Sequence, residues 1–365
     1  MTAPLRRGEP ITEPTVFPRR IAIVTDAWTP QINGVVRTLR ATIGMLEARG
    51  HEVMVIAPDQ FRSLPCPTYP EIRLALARAK TIARRLAGFA PDAIHIATEG
   101  PLGLSARRIC VERGWPFTTA YHTQFPAYVA RRTPLPESLL WRYIRWFHGP
   151  AVRIMVATAS IRAELAAHGL TRAHHWSRGV DLAQFRRDAP APPEYAGLER
   201  PIQLYAGRVA PEKNLEAFLD APQRGSKVVV GDGPAMAALR VRYPAAVFLG
   251  RREGAALAGC YAGADVFVFP SRTDTFGLVI VEALACGTPV AAYPVAGPID
   301  IVTDRVGALS EDLARAIDAA LLCERRDCAA RGAEFSWEAA TDQFVAGLVG
   351  VTGRSPSLNA CPEPR

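Results

Sequence analysis

The sequence lacks any apolar run approaching the ~20 residues that a membrane-spanning helix needs. Its opening, MTAPLRRGEPITEPTVFPRR, has no apolar core region and so does not read as a secretory signal. Cysteine is sparse. The seven are odd in number and scattered, and the nearest pair, Cys323 and Cys328, has no His or Cys partner at ligand spacing. That excludes a disulfide framework and a zinc site, and it points to a reducing cytosol. No G-x-G-x-x-G fingerprint follows the first strand-like run, which leads into TDAWTPQINGV, so a nicotinamide dehydrogenase is a poor fit. No recognised nucleic-acid module is present, and no nucleic-acid partner is expected. There is no Asp-x-Asp triplet anywhere in the chain.

Acidic residues are scarce in one half only. Residues 19–185 hold 22 Lys and Arg against 11 Asp and Glu, a net of +11, whereas residues 186–350 hold 17 against 21, a net of −4. A domain so basic suits an anionic membrane surface, or simply solubility and phosphate binding.

What is present is globular. The chain has 365 residues, 49% apolar and 21% charged, enough for two domains of ordinary size. Strand-like runs alternate with helical patterns. RIAIVTD, HEVMVIAP, IHIAT, PFTTAYH and RIMVATAS mark the first half. IQLYAGR, KVVVGDG, AVFLG, DVFVFPS and PVAAYPV mark the second. This rhythm predicts two doubly wound parallel sheets, with ligands at the carboxyl ends of the strands. The expected layout is a tail over 1–18, a first Rossmann-like domain over 19–185 and a Pro/Ala-rich linker over 186–198. A second such domain over 199–335, a returning helix over 336–350 and a tail over 351–365 follow.

The densest signal is residues 271–289, SRTDTFGLVIVEALACGTP. Asp274 precedes a Phe276–Gly277 turn, a helix opens at Leu278, and Glu282 lies about two helical turns beyond Asp274. A helix start offers unpaired N–H groups and a positive dipole end, which suit a phosphate. A carboxylate can accept two hydrogen bonds from a ribose diol. The plain alternative is an amphipathic helix with a solvated Glu282. In GRVAPEKN, Gly207 and Arg208 end a strand and Lys213 starts a helix over 213–219. The two cations suit a diphosphate, or form an exposed basic loop. Residues 139–147, LLWRYIRWF, set aromatics beside arginines at helical spacing. They suit a lipid headgroup boundary, or a core-facing helix with solvated arginines.

TDAWTPQINGVVRTL, YHTQFP, RGVDLAQF, GRVAPEKN, VVVGDGP and SRTDTFGLVIVEALACGTPVAA occur in this order over residues 20–350. Together they resemble the retaining glycosyltransferases of family four (glycosyl transferases group 1). The resemblance implies the GT-B fold, an α/β architecture of two Rossmann-like doubly wound domains facing one cleft. IHIATEGPLG, YHTQFPAYV and YPVAGPIDIV are most similar to the bacterial branch that glycosylates lipids, including mannosyl-, glucosyl- and sulfoquinovosyltransferases.

Residue roles follow from the resemblance. Gly34 would let the backbone approach the diphosphate, and His122 would meet the donor sugar near the reacting bond. Gly207, Arg208 and Lys213 would hold the diphosphate with the helix start at Phe276, Gly277 and Leu278. Glu282 would bind the ribose. Glu253 would meet the base, with a lean towards guanine. Asp274 stands where the family more often has Glu, so its reach to the sugar hydroxyls is shifted. His148 reads as a packed helix-end residue. No metal or other cofactor is implied, and the implied mechanism is front-face substitution with retention. The expected donor is a nucleotide sugar, GDP-mannose before UDP-glucose or UDP-glucuronate. The expected acceptor is a lipid such as diacylglycerol, reached by peripheral binding at the cytoplasmic membrane face. The alternatives are a soluble transferase of the same fold acting on a free sugar, small alcohol or glycan, and, more remotely, a nucleotide-binding non-transferase.

Overall fold

Short apolar runs become the central strands of two sheets. In the first, β1 (Arg20–Val24) holds Ile21, Ala22, Ile23 and Val24 at 0% exposure. Burying each of its larger aliphatic side chains contributes about 1.5–3 kcal/mol. The computed structural model describes residues 18–31, 33–66, 69–122, 136–222, 224–272 and 276–351. Asp274, most of the YHTQFP segment and both chain termini lie outside them.

The remaining strands of the first half are β2 (Glu52–Ile56), β3 (Ser63–Cys66), β4 (Tyr69–Ala75), β5 (Ala93–Ile96), β6 (Thr118–Ala120), β7 (Arg153–Val156) and β8 (Ala173–His175). Six form a parallel sheet in the order β2-β1-β5-β6-β7-β8, while β3 and β4 pair apart as an antiparallel hairpin. The second half contains β9 (Ile202–Ala206), β10 (Ser226–Val230), β11 (Val247–Gly250), β12 (Val266–Phe269), β13 (Val290–Ala292) and β14 (Gly307–Leu309). They form a parallel sheet in the order β11-β10-β9-β12-β13-β14. Strand order reverses between β1 and β5, and again between β9 and β12, which makes these the two ligand-binding switch points.

Three details depart from the sequence reading. The first apolar run extends to Asp26, but the strand stops at Val24. Asp26 instead turns its carboxylate onto the start of the helix Pro101–Arg113, accepting from Leu102 N at 2.8 Å and Gly103 N at 3.2 Å. The helix expected over 213–219 divides into a 3₁₀ turn, Pro211–Lys213, and a short helix, Leu215–Leu219, because Asn214 takes the left-handed conformation at φ 55°. The β3–β4 hairpin, β8 and β14 carry no apolar run that marked them in advance.

The chain crosses between domains twice. The helix Trp337–Gly347 returns to the first domain, where Phe344 packs on Trp176 and His95 with ring centroids at 4.8 and 5.0 Å. Arg153 donates to Ala346 O at 2.7 Å, and Ala93, at the start of β5, pairs with Gly350. The two crossings run side by side. Val180 bridges Ser336, with Val180 N donating to Phe335 O at 2.8 Å.

Candidate active site

The loops leaving the two switch points carry the site. After β1 the chain reaches Asn33, whose side chain caps the helix Gly34–Ala48 by accepting from Val36 N at 3.0 Å. After β12 it reaches Gly277, at φ +86°, which opens the helix Leu278–Ala285. A side chain at Gly277 would be strained in that left-handed conformation, and its Cβ would come 2.8 Å from Ile280 Cδ1. The two helix starts meet across the cleft: a Cβ at Gly34 would lie 3.6 Å from Leu278 Cδ1. Two positive dipole ends therefore converge, an arrangement suited to an anion.

One turn into each helix the domains are joined. Arg37 donates from its guanidinium to Glu282 Oε1, and Tyr261 donates from its hydroxyl to Glu282 Oε2 at 3.1 Å. The Glu282 side chain is 2% exposed, that of Arg37 47%. Burial pushes the Glu282 carboxyl above its usual value, opposed by Arg37 and then by the Tyr261 hydroxyl. Burial acts most strongly and would lower Arg37, but the charge and hydrogen bond of Glu282, joined by Tyr261 and Glu253, together leave the guanidinium raised.

Arg208 and Lys213 sit in the loop after β9. Tyr205 braces it by donating its hydroxyl to Arg208 O at 2.7 Å, and Asn214 ties it to the loop after β12 by donating to Pro270 O at 3.2 Å. Arg208 is exposed and Lys213 half-buried. Phe276 is buried, edge-on to Phe335. Glu253, just before the helix Gly254–Gly263, is exposed and accepts from Arg251 Nε at 3.0 Å, so any base contact would be shared with that arginine.

His122 lies two residues beyond β6 at the carboxyl edge of the first sheet. It is buried, with Nδ1 2.9 Å from the Arg178 guanidinium. His148 is fully buried at the end of the helix Glu137–His148, held by Thr119 Oγ1 at 2.8 Å and Glu99 Oε1 at 3.2 Å. That same helix sends Leu140, Trp141, Ile144 and Phe147 inward and leaves Arg142, Arg145 and Trp146 outward. Arg107, from the neighbouring helix, covers the Trp146 ring at 3.8 Å.

Arg37, Tyr261 and Arg178 were not singled out from the sequence. Helical spacing puts Arg37 one turn past Gly34 on the same face, but only the fold brings it to Glu282. No group of three His, Cys, Asp or Glu side chains among the described residues could hold a metal ion.

Residues 32–184 match the family model for Glycosyltransferase Family 4, and residues 200–324 that for Glycosyl transferases group 1. The chain is 34% identical to the GDP-mannose-dependent alpha-mannosyltransferase of Mycolicibacterium smegmatis, over 92% of its own length and 98% of that protein. The chain belongs to glycosyltransferase family 4. This glycosyltransferase is also 32% identical to sulfoquinovosyl transferase SQD2 of Arabidopsis thaliana, over 83% of its length and 64% of that protein. It is 28% identical to the alpha-monoglucosyldiacylglycerol synthase of Streptococcus pneumoniae, over 83% of its length and 78% of that protein. Among solved structures it is similar to sucrose-phosphate synthase from Thermosynechococcus elongatus, with a TM-score of 0.71 at 21% identity, covering 89% of this chain and 97% of the other. The starch synthase IV catalytic domain from Arabidopsis thaliana gives 0.64 at 13%, covering 91% and 99%. The fold is GT-B. No helix among the described residues is long and apolar enough to cross a membrane.

Proposed function

We propose that this glycosyltransferase moves a hexose from a nucleotide sugar to a lipid acceptor such as diacylglycerol at the cytoplasmic face of the membrane. GDP-mannose is the first donor, UDP-glucose or UDP-glucuronate the next. The observation that carries the reading is the meeting of two helix starts at Gly34 and Leu278, with the Arg208 and Lys213 loop tied through Asn214 to the loop after β12. It forms a cradle for a diphosphate, the group that a nucleotide sugar brings and then loses. The name of the relative at 34% identity, which contains GDP-mannose, supports the donor, and that of the relative at 28%, which contains diacylglycerol, supports the lipid acceptor.

In this reading the cations and helix starts stabilise the diphosphate as its bond to the anomeric carbon breaks. The leaving phosphate oxygen takes the acceptor's proton, and the new bond forms on the same face, with retention and without a metal. Glu282 receives the ribose diol, His122 and Asp274 face the sugar, and Glu253 faces the base.

The test incubates the protein with each donor and diacylglycerol vesicles and reads the product's anomeric configuration by NMR. An α-linked glycolipid from GDP-mannose is expected. An inverted product, or no transfer from any nucleotide sugar, would sink the reading. The inward face of the helix Glu137–His148 favours a second reading, a soluble acceptor, because most of its aromatic residues serve the core. Free sugars and glycerol in the same assay separate the two.

A further inference from the structure

Arg178 is 5% exposed and stands three residues beyond β8, at the same sheet edge as His122. One terminal nitrogen donates to the backbone, to Trp176 O at 2.8 Å and Ser177 O at 3.1 Å. The other lies 2.9 Å from His122 Nδ1. The guanidinium also covers the Trp176 ring at 4.7 Å, and the His122 ring meets the same indole edge-on at 5.5 Å. Both partners of the contact are therefore fixed in place by a third, fully buried side chain.

The chemistry of this contact has one solution. A guanidinium has five donors and no acceptor. His122 Nδ1 must accept, so its lone pair is committed and the single proton of the neutral ring sits on Nε2. An imidazolium could not make the contact, since both of its nitrogens donate. We propose that Arg178 is a positioning residue that locks His122 as the neutral Nε2–H tautomer, making it a hydrogen-bond donor and not a proton shuttle. The proposal rests on the reading that His122 meets the donor sugar, and it states what the ring does there. A donor on Nε2 orients a sugar hydroxyl or ring oxygen and leaves the acceptor's proton to the departing phosphate.

The surroundings agree with the geometry. Burial lowers the His122 pKa well below its usual value, and Arg178, His95 and His148 lower it further. Among the described residues, these are the charged groups that act on the ring. Glu99 contacts the neighbouring His148 at 3.2 Å. Burial pushes Arg178 down to about 9, so it still carries its charge at neutral pH.

The experiment is nitrogen NMR of the full-length protein labelled with ¹⁵N-histidine, with His122 assigned by the loss of its signals in His122→Gln. A protonated Nε2 and a bare Nδ1, unchanged between pH 6 and 8, are expected. A ring protonated on Nδ1, a mixture of tautomers, or an imidazolium at pH 6 overturns the proposal. Because this measurement uses the wild type, it holds even if Arg178 variants fold poorly. Where they fold, Arg178→Met should lower kcat about tenfold or more with little change in donor KM. It should also shift the acidic limb of the rate profile upwards, though short of the ordinary imidazole value of ~6.5, because the burial that lowers His122 most remains. Arg178→Lys, which keeps a donor and the charge, should recover most of both. A wild-type pH profile and tautomer in Arg178→Met would refute the lock. A protonated Nε2 in a protein whose His122→Ala variant turns over normally keeps the tautomer but overturns its use on the sugar.

Discussion

Arg37 and Glu282 form an ion pair between the two domains, with the carboxylate buried and the guanidinium half in solvent. The asymmetry decides what each partner loses when the other goes. Arg37 can turn to water. Glu282 cannot, and without Arg37 it would keep, among the described residues, only the Tyr261 hydroxyl against its burial. The pair also lies one turn behind the meeting of the helix starts, so a ribose diol seeking Glu282 must share with Arg37 and Tyr261 or displace them.

Glu282→Gln is expected to weaken donor binding about tenfold or more, since a ribose contact is made in ground and transition states alike. It should not cost folding stability. A carboxyl whose folded pKa lies above its unfolded value loses stability as pH rises through that window, so at pH 8 the native Glu282 is a burden that glutamine lifts. Thermal unfolding at pH 8 with and without GDP-mannose checks both. Unchanged donor affinity, or a sharply lower melting temperature, would contradict this account.

Arg37→Ala should shift the pH dependence of donor binding upwards. With its strongest opposing charge gone, the Glu282 pKa rises further, and the carboxylate protonates at a higher pH than in the wild type. Calorimetric titration of GDP-mannose should show the fall of affinity with falling pH setting in at a higher pH in the variant than in the wild type. Curves that fall over the same pH range would show that Arg37 does not control Glu282.

Arg208→Ala and Lys213→Ala should each lower turnover by about 10²-fold, the usual effect of losing a preorganised charge contact to a developing anion. Asp274→Asn should likewise act mainly on kcat. With the cations supplied by side chains, activity should survive EDTA. Near-normal rates in both folded clamp variants, or activity that only added magnesium or manganese restores, would discard the clamp.

The outward face of the helix Glu137–His148 is expected to bind anionic bilayers reversibly. Each basic residue near such a surface contributes ~1 kcal/mol, screened by salt. Replacing Arg142 and Arg145 with Glu should weaken co-sedimentation with anionic vesicles, while neutral vesicles bind poorly throughout. Trp146→Ala should cause a smaller, less salt-sensitive loss, because its ring is partly covered by Arg107. A wild-type protein left in the supernatant with anionic vesicles at low salt would remove the membrane reading.

The sheets were legible because their strands are buried on both faces, and such strands read as continuous apolar runs. RIAIV and VFVF announce themselves, whereas the AHH of β8, half-buried at a sheet edge, does not. In the site, glycines were the visible part: Gly277 stands where a side chain would be strained, and Gly34 where the other helix start comes within van der Waals reach. Arg37, Tyr261 and Arg178 were invisible for one reason: each acquires its role from a partner more than twenty positions away, and periodicity along one helix carries no trace of it.

The paired crossings at Val180 and Ser336 make the second domain an insertion, held at both ends by the first. Cleft opening must bend both connections together, which favours a swing about one axis over a free twist. The same arrangement governs recombination between relatives. A hybrid that exchanges acceptor halves should need two junctions, near 180 and 336. A single junction would leave the first sheet packed against a foreign copy of the helix that carries Phe344.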